Sequence, residues 1–140
     1  MATAEPPTRQ FAIQAYAQQL AGHSFFLVAW LDADPIGSCQ VSREPRPWLR
    51  NLNVSATHRG AGVGSTLVTE AEGLVRDRGE LSIGVALDNP SARRLYARLG
   101  YLPTGEVTTT TYTYVDDDDQ EHTATEIAER LTRTWPVTPS

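Results

Sequence analysis

Apolar and polar positions along this 140-residue chain change period several times, and each change predicts a change of element. Ile13, Tyr16, Ala17 and Leu20 fall on one helical stripe, which predicts a helix over residues 10–20. Residues 25–31 form a short apolar run closed by Asp32-Ala33-Asp34-Pro35, the pattern of a strand and a turn. Residues 36–42 follow as the hairpin partner, with Ile36, Ser38 and Gln40 alternating against Gly37, Cys39 and Val41. Arg43-Glu44-Pro45-Arg46-Pro47 is a proline-punctuated loop. Residues 49–54 then alternate as a strand, Leu49, Asn51 and Asn53 opposite Arg50, Leu52 and Val54.

Beyond that strand the period becomes helical. Leu67, Val68, Ala71, Leu74 and Val75 make one buried stripe, and Gly79 supplies its stop. Residues 81–87 are an apolar-rich strand. Strand, loop, helix and strand at this length make a βαβ unit with parallel strands. Asn89-Pro90 provides an N-cap and a first-turn proline for a second helix, which runs to Leu99 and stops at Gly100. Its inner stripe is Ala92, Leu95 and Leu99. Residues 106–115 are rich in threonine and tyrosine and read as a strand; Asp116 to Asp119 form a charged turn. Ile127 and Leu131 fit either period, and a strand over 126–134 pairing back on 106–115 is the preferred reading.

Composition narrows the class. The length suits one domain, expected to span residues 10–135, with loose tails at 1–9 and 136–140. A net charge of −5 argues against a duplex-binding protein, so no nucleic-acid partner is expected. All twelve basic residues are arginine, which removes any chemistry that needs a lysine. Single Cys39 forms no internal disulfide, and no apolar run is long enough to span a bilayer. No membrane partner and a cytoplasmic location are expected. His23 and His122 lack ligand-spaced partners, and Asp116 to Asp119 lack the alternate spacing of a calcium loop, so no metal site is expected.

The chemistry-bearing segment is His58-Arg59-Gly60-Ala61-Gly62-Val63-Gly64-Ser65-Thr66. Glycines between a strand and a helix N-terminus bring backbone N–H groups close to a phosphate. A P-loop hydrolase needs a lysine before the Ser/Thr, and here Gly64 stands there. A dinucleotide fingerprint would need glycine at Ser65 and an acidic residue closing the next strand, and neither is present. Arg59-Gly60-Ala61-Gly62-Val63-Gly64 instead resembles the acetyl-CoA loop of the GNAT N-acetyltransferases. Asn89, Ala92, Tyr96, Gly100 and Tyr101 are in register with that family's second signature. The resemblance covers residues 25–114.

The resemblance implies an α/β (α+β) GNAT fold, a mixed central sheet whose parallel central strands splay to admit pantetheine. It implies acetyl-CoA as cosubstrate and no metal. The pantetheine arm would lie along Leu52, Asn53 and Val54, with a backbone N–H near Val54 polarising the thioester carbonyl. The diphosphate would lie on Arg59, Gly60, Ala61, Gly62, Val63 and Gly64, with Ser65 or Thr66 adding a hydroxyl. Arg59 has two readings, phosphate contact and loop ordering. Asn89 matches the asparagine that bonds the pantetheine arm, and a plain helix cap is the other reading. Tyr96 matches the general acid; a phenol with pKa about 10 stays protonated at neutral pH.

The base is not assigned by the resemblance. The strand before the glycine loop carries Arg50, Asn51 and Asn53 where many relatives have a glutamate; Glu44 and His58 are the alternatives, and a water chain is a third. The segment before residue 25 is shorter than the family's, which leaves the acceptor site open or completed by a neighbouring subunit, and a homodimer is expected. Three functions compete: an N-acetyltransferase acting on a small-molecule or protein amine, a catalytically impaired CoA-binding sensor or scaffold, and a partner domain that has lost CoA. Thiol release separates the first two, and CoA affinity separates the third.

Overall fold

The computed structural model describes residues 11–18 and 24–137. The chain forms two compact units, Met1–Leu81 with Thr134–Ser140, and Ser82–Arg133. The tail predicted over residues 1–9 lies outside the described residues, as do Leu20 and His23.

Four antiparallel strands in sequential order build the first unit: β1 (Ala12–Gln18), β2 (Ser24–Leu31), β3 (Asp34–Ser42) and β4 (Trp48–Val54). The helix predicted over residues 10–20 is therefore corrected to a strand. Its register on β2 is unbroken, from Ala12 against Trp30 to Gln18 against Ser24. Pairing supplies partners for an apolar strand edge, which outweighs a weak helical stripe. The same residues also alternate: Ile13, Ala15 and Ala17 share the face of Ala29, Leu27 and Phe25, their cross-strand partners.

Strand β4 carries the second correction. Val41 pairs with Leu49 and Gly37 with Val54, so four steps along β3 match five along β4. The extra residue is a bulge, and Asn51 takes φ 55° there. Leu49 and Val54 consequently share a face, and the simple alternation of residues 49–54 is broken. Asn53 pairs with Ser38 on the opposite face.

Helix α1 (Val63–Leu74) packs on β2, β3 and β4, burying Val63, Leu67, Val68 and Ala71. Gly37 makes this approach possible. A Cβ there would lie 3.0 Å from the Asn53 carbonyl oxygen, 3.0 Å from Val63 Cγ1 and 3.2 Å from Leu67 Cδ1. The helix ends before the predicted Gly79; a 3-10 turn over Arg76–Arg78 intervenes, and Gly79 closes it at φ 79°. Trp135 returns to this turn, its backbone N–H on the Gly79 carbonyl at 3.0 Å and its indole N–H on the Arg76 carbonyl at 2.8 Å.

The second unit holds most of β5 (Glu80–Ala86), helix α2 (Pro90–Arg98), β6 (Leu102–Val115) and β7 (Glu121–Thr134), with strand order β5-β7-β6. The antiparallel β6–β7 hairpin realises the strand preferred for residues 126–134. Ile83, Val85, Tyr101 and Leu131 are buried. Beside them Arg130, only 4% exposed, donates to Ser82 Oγ at 2.9 Å and to Glu106 at 3.0 Å, so its buried charge is paired. Among the described residues no helix is long and apolar enough to cross a membrane.

Candidate functional site

Strand β4 delivers the chain into the glycine segment, and local bonds fix the turn. The His58 N–H donates to the Ser55 carbonyl at 2.9 Å, and the His58 ring Nδ1 shares a hydrogen bond with Ser55 Oγ at 2.7 Å. Arg59 Nε reaches back to the Val54 carbonyl at 3.3 Å. Of the two readings of Arg59, this contact is the loop-ordering one. Arg59 is itself exposed on the loop surface.

Gly60 and Gly62 sit at φ 83° and 86°, a region that disfavours side chains, and a Cβ on either would meet nothing within 4 Å. The loop is thus glycine-rich for its backbone turn, with open space beyond it. Gly62 caps α1, and the first helical bond runs from the Thr66 N–H to the Gly62 carbonyl at 3.0 Å. The N–H groups of Gly62, Val63, Gly64 and Ser65 donate to no described residue. They are the orphan donors of a helix start, aligned with the positive end of its dipole. Thr66 Oγ1 donates to the Gly62 carbonyl at 2.9 Å and is committed to the cap; of the two hydroxyls, Ser65 is the one left for a ligand among the described residues.

Leu52, Asn53 and Val54 lead into this cradle. Asn53 faces away from α1, where Phe26, Val28, Ser38 and Ser55 join it around an open hollow of about 350 Å³ that holds no titratable side chain. Glu44 lies elsewhere. It is an exposed residue of the loop between β3 and β4, at the end of β4 opposite the glycine segment. The length of β4 separates them, about 20 Å for seven extended residues. His58 is engaged by Ser55 and Thr57 through one ring nitrogen. The bulge at Asn51 has no sequence signature beyond the tolerance of asparagine for the positive φ it takes there.

In the second unit Asn89 caps α2, its side-chain oxygen accepting the Ala92 N–H at 3.1 Å, with Pro90 in the first turn. Tyr96 is 7% exposed, and its ring packs edge-on against Tyr101 at a centroid distance of 6.2 Å. Arg93 on the same helix is ion-paired to Glu129. Burial pushes the Cys39 thiol up to about 12. Among the described residues no group of three or more His, Cys, Asp or Glu side chains is placed to hold a metal ion.

The family model described as "Acetyltransferase (GNAT) family" matches residues 2–101. No curated protein matches the chain. Solved structures do. A nourseothricin acetyltransferase is 24% identical, with a TM-score of 0.67 over 90% of this chain and 85% of the other. A GNAT family acetyltransferase from Elizabethkingia anophelis with acetyl-CoA bound is 13% identical, with a TM-score of 0.71 over 91% and 99%. An IAA acetyltransferase from Bacillus cereus ATCC 14579 is 15% identical, with a TM-score of 0.68 over 90% and 100%. At these identities the likeness is one of fold.

Proposed function

The chain belongs to the GNAT acetyltransferase family, and from that premise we propose that it moves an acetyl group from acetyl-CoA to a primary amine of a small molecule or protein. The observation that carries the reading is the row of unpaired N–H groups from Gly62 to Ser65 at the start of α1. Such a row binds a diphosphate through charge-assisted hydrogen bonds. Acetyl-CoA in the Elizabethkingia anophelis structure supports that identity for the ligand.

In this mechanism the amine attacks the thioester carbon directly. A backbone N–H of the Leu52–Val54 segment stabilises the oxyanion, and collapse expels CoA as a thiolate. Tyr96 supplies the proton to that sulfur. A phenol is ordinarily a weaker acid than a thiol, about 10 against 8.5, so donation requires close approach of the departing sulfur. The amine's proton leaves through water, since Glu44 stands at the far end of β4 from the Leu52–Val54 segment.

One observation favours a second reading, a CoA-binding module without turnover: β4 presents Arg50, Asn51 and Asn53 and no carboxylate. The two are separated by thiol release from acetyl-CoA across a panel of cationic and neutral-bodied amines. Turnover is expected with at least one amine, falling by about 10²–10⁴ in kcat for Tyr96→Phe. Gly62→Glu is expected to abolish CoA binding by setting a carboxylate where the diphosphate lies. Thermal stabilisation by CoA with no release from any amine would leave the binding-module reading standing. Glu44→Gln is expected to leave turnover unchanged, and a loss would contradict the water route.

A further inference from the structure

We infer that the acceptor is a small primary amine whose body carries no second charge, and that Ser38 and Asn53 select it; the inference rests on the transferase reading. The selecting site is the hollow beside Asn53. It lies wholly in the first unit and has about 350 Å³, the small end of the range for ligand sites. Val54 lines it as well, so the hollow adjoins the backbone proposed to polarise the thioester.

Its wall is apolar at Phe26, Val28 and Ile36, and its polar side chains are the uncharged Ser38, Asn53 and Ser55. Ser38 and Asn53 are direct partners across β3 and β4, which sets their Cβ atoms about 5 Å apart. Among the described residues the Ser38 hydroxyl has no hydrogen-bond partner. Asn53 donates one amide N–H to the Asn51 carbonyl at 3.4 Å, and its side-chain oxygen accepts from none of them. Ser55 is engaged by His58. A free hydroxyl and a free amide oxygen side by side match an O–H or N–H group on a neutral ligand.

A second charge on the acceptor finds no partner here. A cation set against this wall gives up water without meeting a carboxylate. An anion meets no guanidinium: neither Arg59, on the Val54 carbonyl, nor Arg50, 5.8 Å over the Trp48 ring, lines the hollow. The second unit holds a hollow of the same volume and opposite chemistry, where Asp88 and Glu126 stand beside Tyr112 and Leu87. A dication would be drawn there. The neutral hollow is the acceptor's because it shares Val54 with the segment that holds the thioester.

The test is thiol release from acetyl-CoA by the full chain with amines of one length that differ only at the far end. They are hexylamine, 5-aminopentan-1-ol, 1,5-diaminopentane and 5-aminopentanoate. The alcohol and hexylamine are expected to exceed both charged amines by about tenfold or more in kcat/KM, with the alcohol leading. Ser38→Ala is expected to remove the alcohol's lead over hexylamine. Ser38→Asp sets a carboxylate in the hollow and is expected to reverse the rank of 1,5-diaminopentane and hexylamine, chiefly through KM. Asp88→Asn with Glu126→Gln is expected to keep the wild-type order. A wild-type preference for 1,5-diaminopentane would overturn the proposal, and its loss in that double variant would give the acceptor to the other hollow. A folded Ser38→Asp chain with the wild-type order would overturn it too. Should Ser38→Asp fail to fold, the wild-type order and Ser38→Ala decide it. Turnover of other amines but none of these four also overturns it, whereas release from no amine at all overturns the transferase reading itself.

Discussion

Adding one methyl group at two glycines of the first unit should move stability in opposite directions. At Gly37 the new Cβ would meet the Asn53 carbonyl oxygen and Val63 Cγ1 at 3.0 Å and Leu67 Cδ1 at 3.2 Å. The first of these is backbone, paired across strands β3 and β4, and yields little. Overpacking a filled interior costs about 1–3 kcal/mol, and the reduced freedom of the unfolded chain returns about 0.4–1. Gly37→Ala should therefore be destabilised by about 1–2 kcal/mol, which lowers Tm by about 4–8 °C for a chain of this size. Gly73 lies late in α1, exposed, with nothing within 4 Å of a Cβ. Gly73→Ala should gain about 0.5–1 kcal/mol from helix propensity. Urea unfolding with an unchanged m-value measures both. The two variants also differ in function. Gly37→Ala pushes on Val63, the first residue of the cradle helix, and should weaken CoA binding; Gly73→Ala should not. A Gly37→Ala protein as stable as wild type, or one that binds CoA equally well, would refute the packing argument.

Asn89→Ala should lose about 1 kcal/mol with its cap, while Asn89→Ser keeps the cap; a raised acetyl-CoA KM in the serine variant would show a contact beyond capping, and an unchanged KM would leave only the cap. Cys39, displaced from its ordinary 9.0 to about 12 by burial, stays protonated in the folded chain when the unfolded thiol has ionised, so stability should fall between pH 9.0 and about 12. The corresponding assay is reaction with a disulfide reagent at pH 8, expected only on global unfolding; rapid labelling of the native chain would contradict the burial. The Gln120 N–H, the His122 ring and the Asp118 N–H hold the Asp116 carboxyl below its ordinary 3.8. Its contribution to the hairpin tip is therefore present above that pH and lost as pH falls below it. An NMR titration of the Asp118 and Gln120 amides should follow the Asp116 carboxyl, and an ordinary Asp116 midpoint would remove the effect.

What the sequence displayed and what it concealed divide along a physical line. The glycine segment and the Asn89–Tyr101 stretch were legible because their geometry is local: Gly62 needs positive φ to cap a helix, and Asn89 needs only Ala92 to cap another. Strand β1 was hidden because Ile13, Ala15, Tyr16 and Ala17 satisfy two periods at once, and only the distant edge of β2 decides between them. Strand β6 was legible for the opposite reason, while β7 fitted either period until its pairing on β6 decided it. Threonine and tyrosine dominate β6, and few helices tolerate so many β-branched residues in succession.

The bulge in β4 shows where local reading ends and why that matters for the site. An alternating reading of residues 49–54 puts Leu49 and Val54 on opposite faces, whereas the register through Val41 and Gly37 puts them on one. Nothing in Asn51-Leu52-Asn53 announces the extra residue except the tolerance of asparagine for positive φ. Yet the inserted residue turns Leu52 and Val54 toward the side on which α1 packs and leaves Asn53 on the other, beside the open hollow. It also interrupts the ladder beside the segment proposed to polarise the thioester. A strand that must both anchor a helix and present backbone to a ligand cannot keep every peptide in its ladder. The bulge lets β4 do both, so Asn51→Val, which disfavours positive φ, should be felt in turnover as well as in stability.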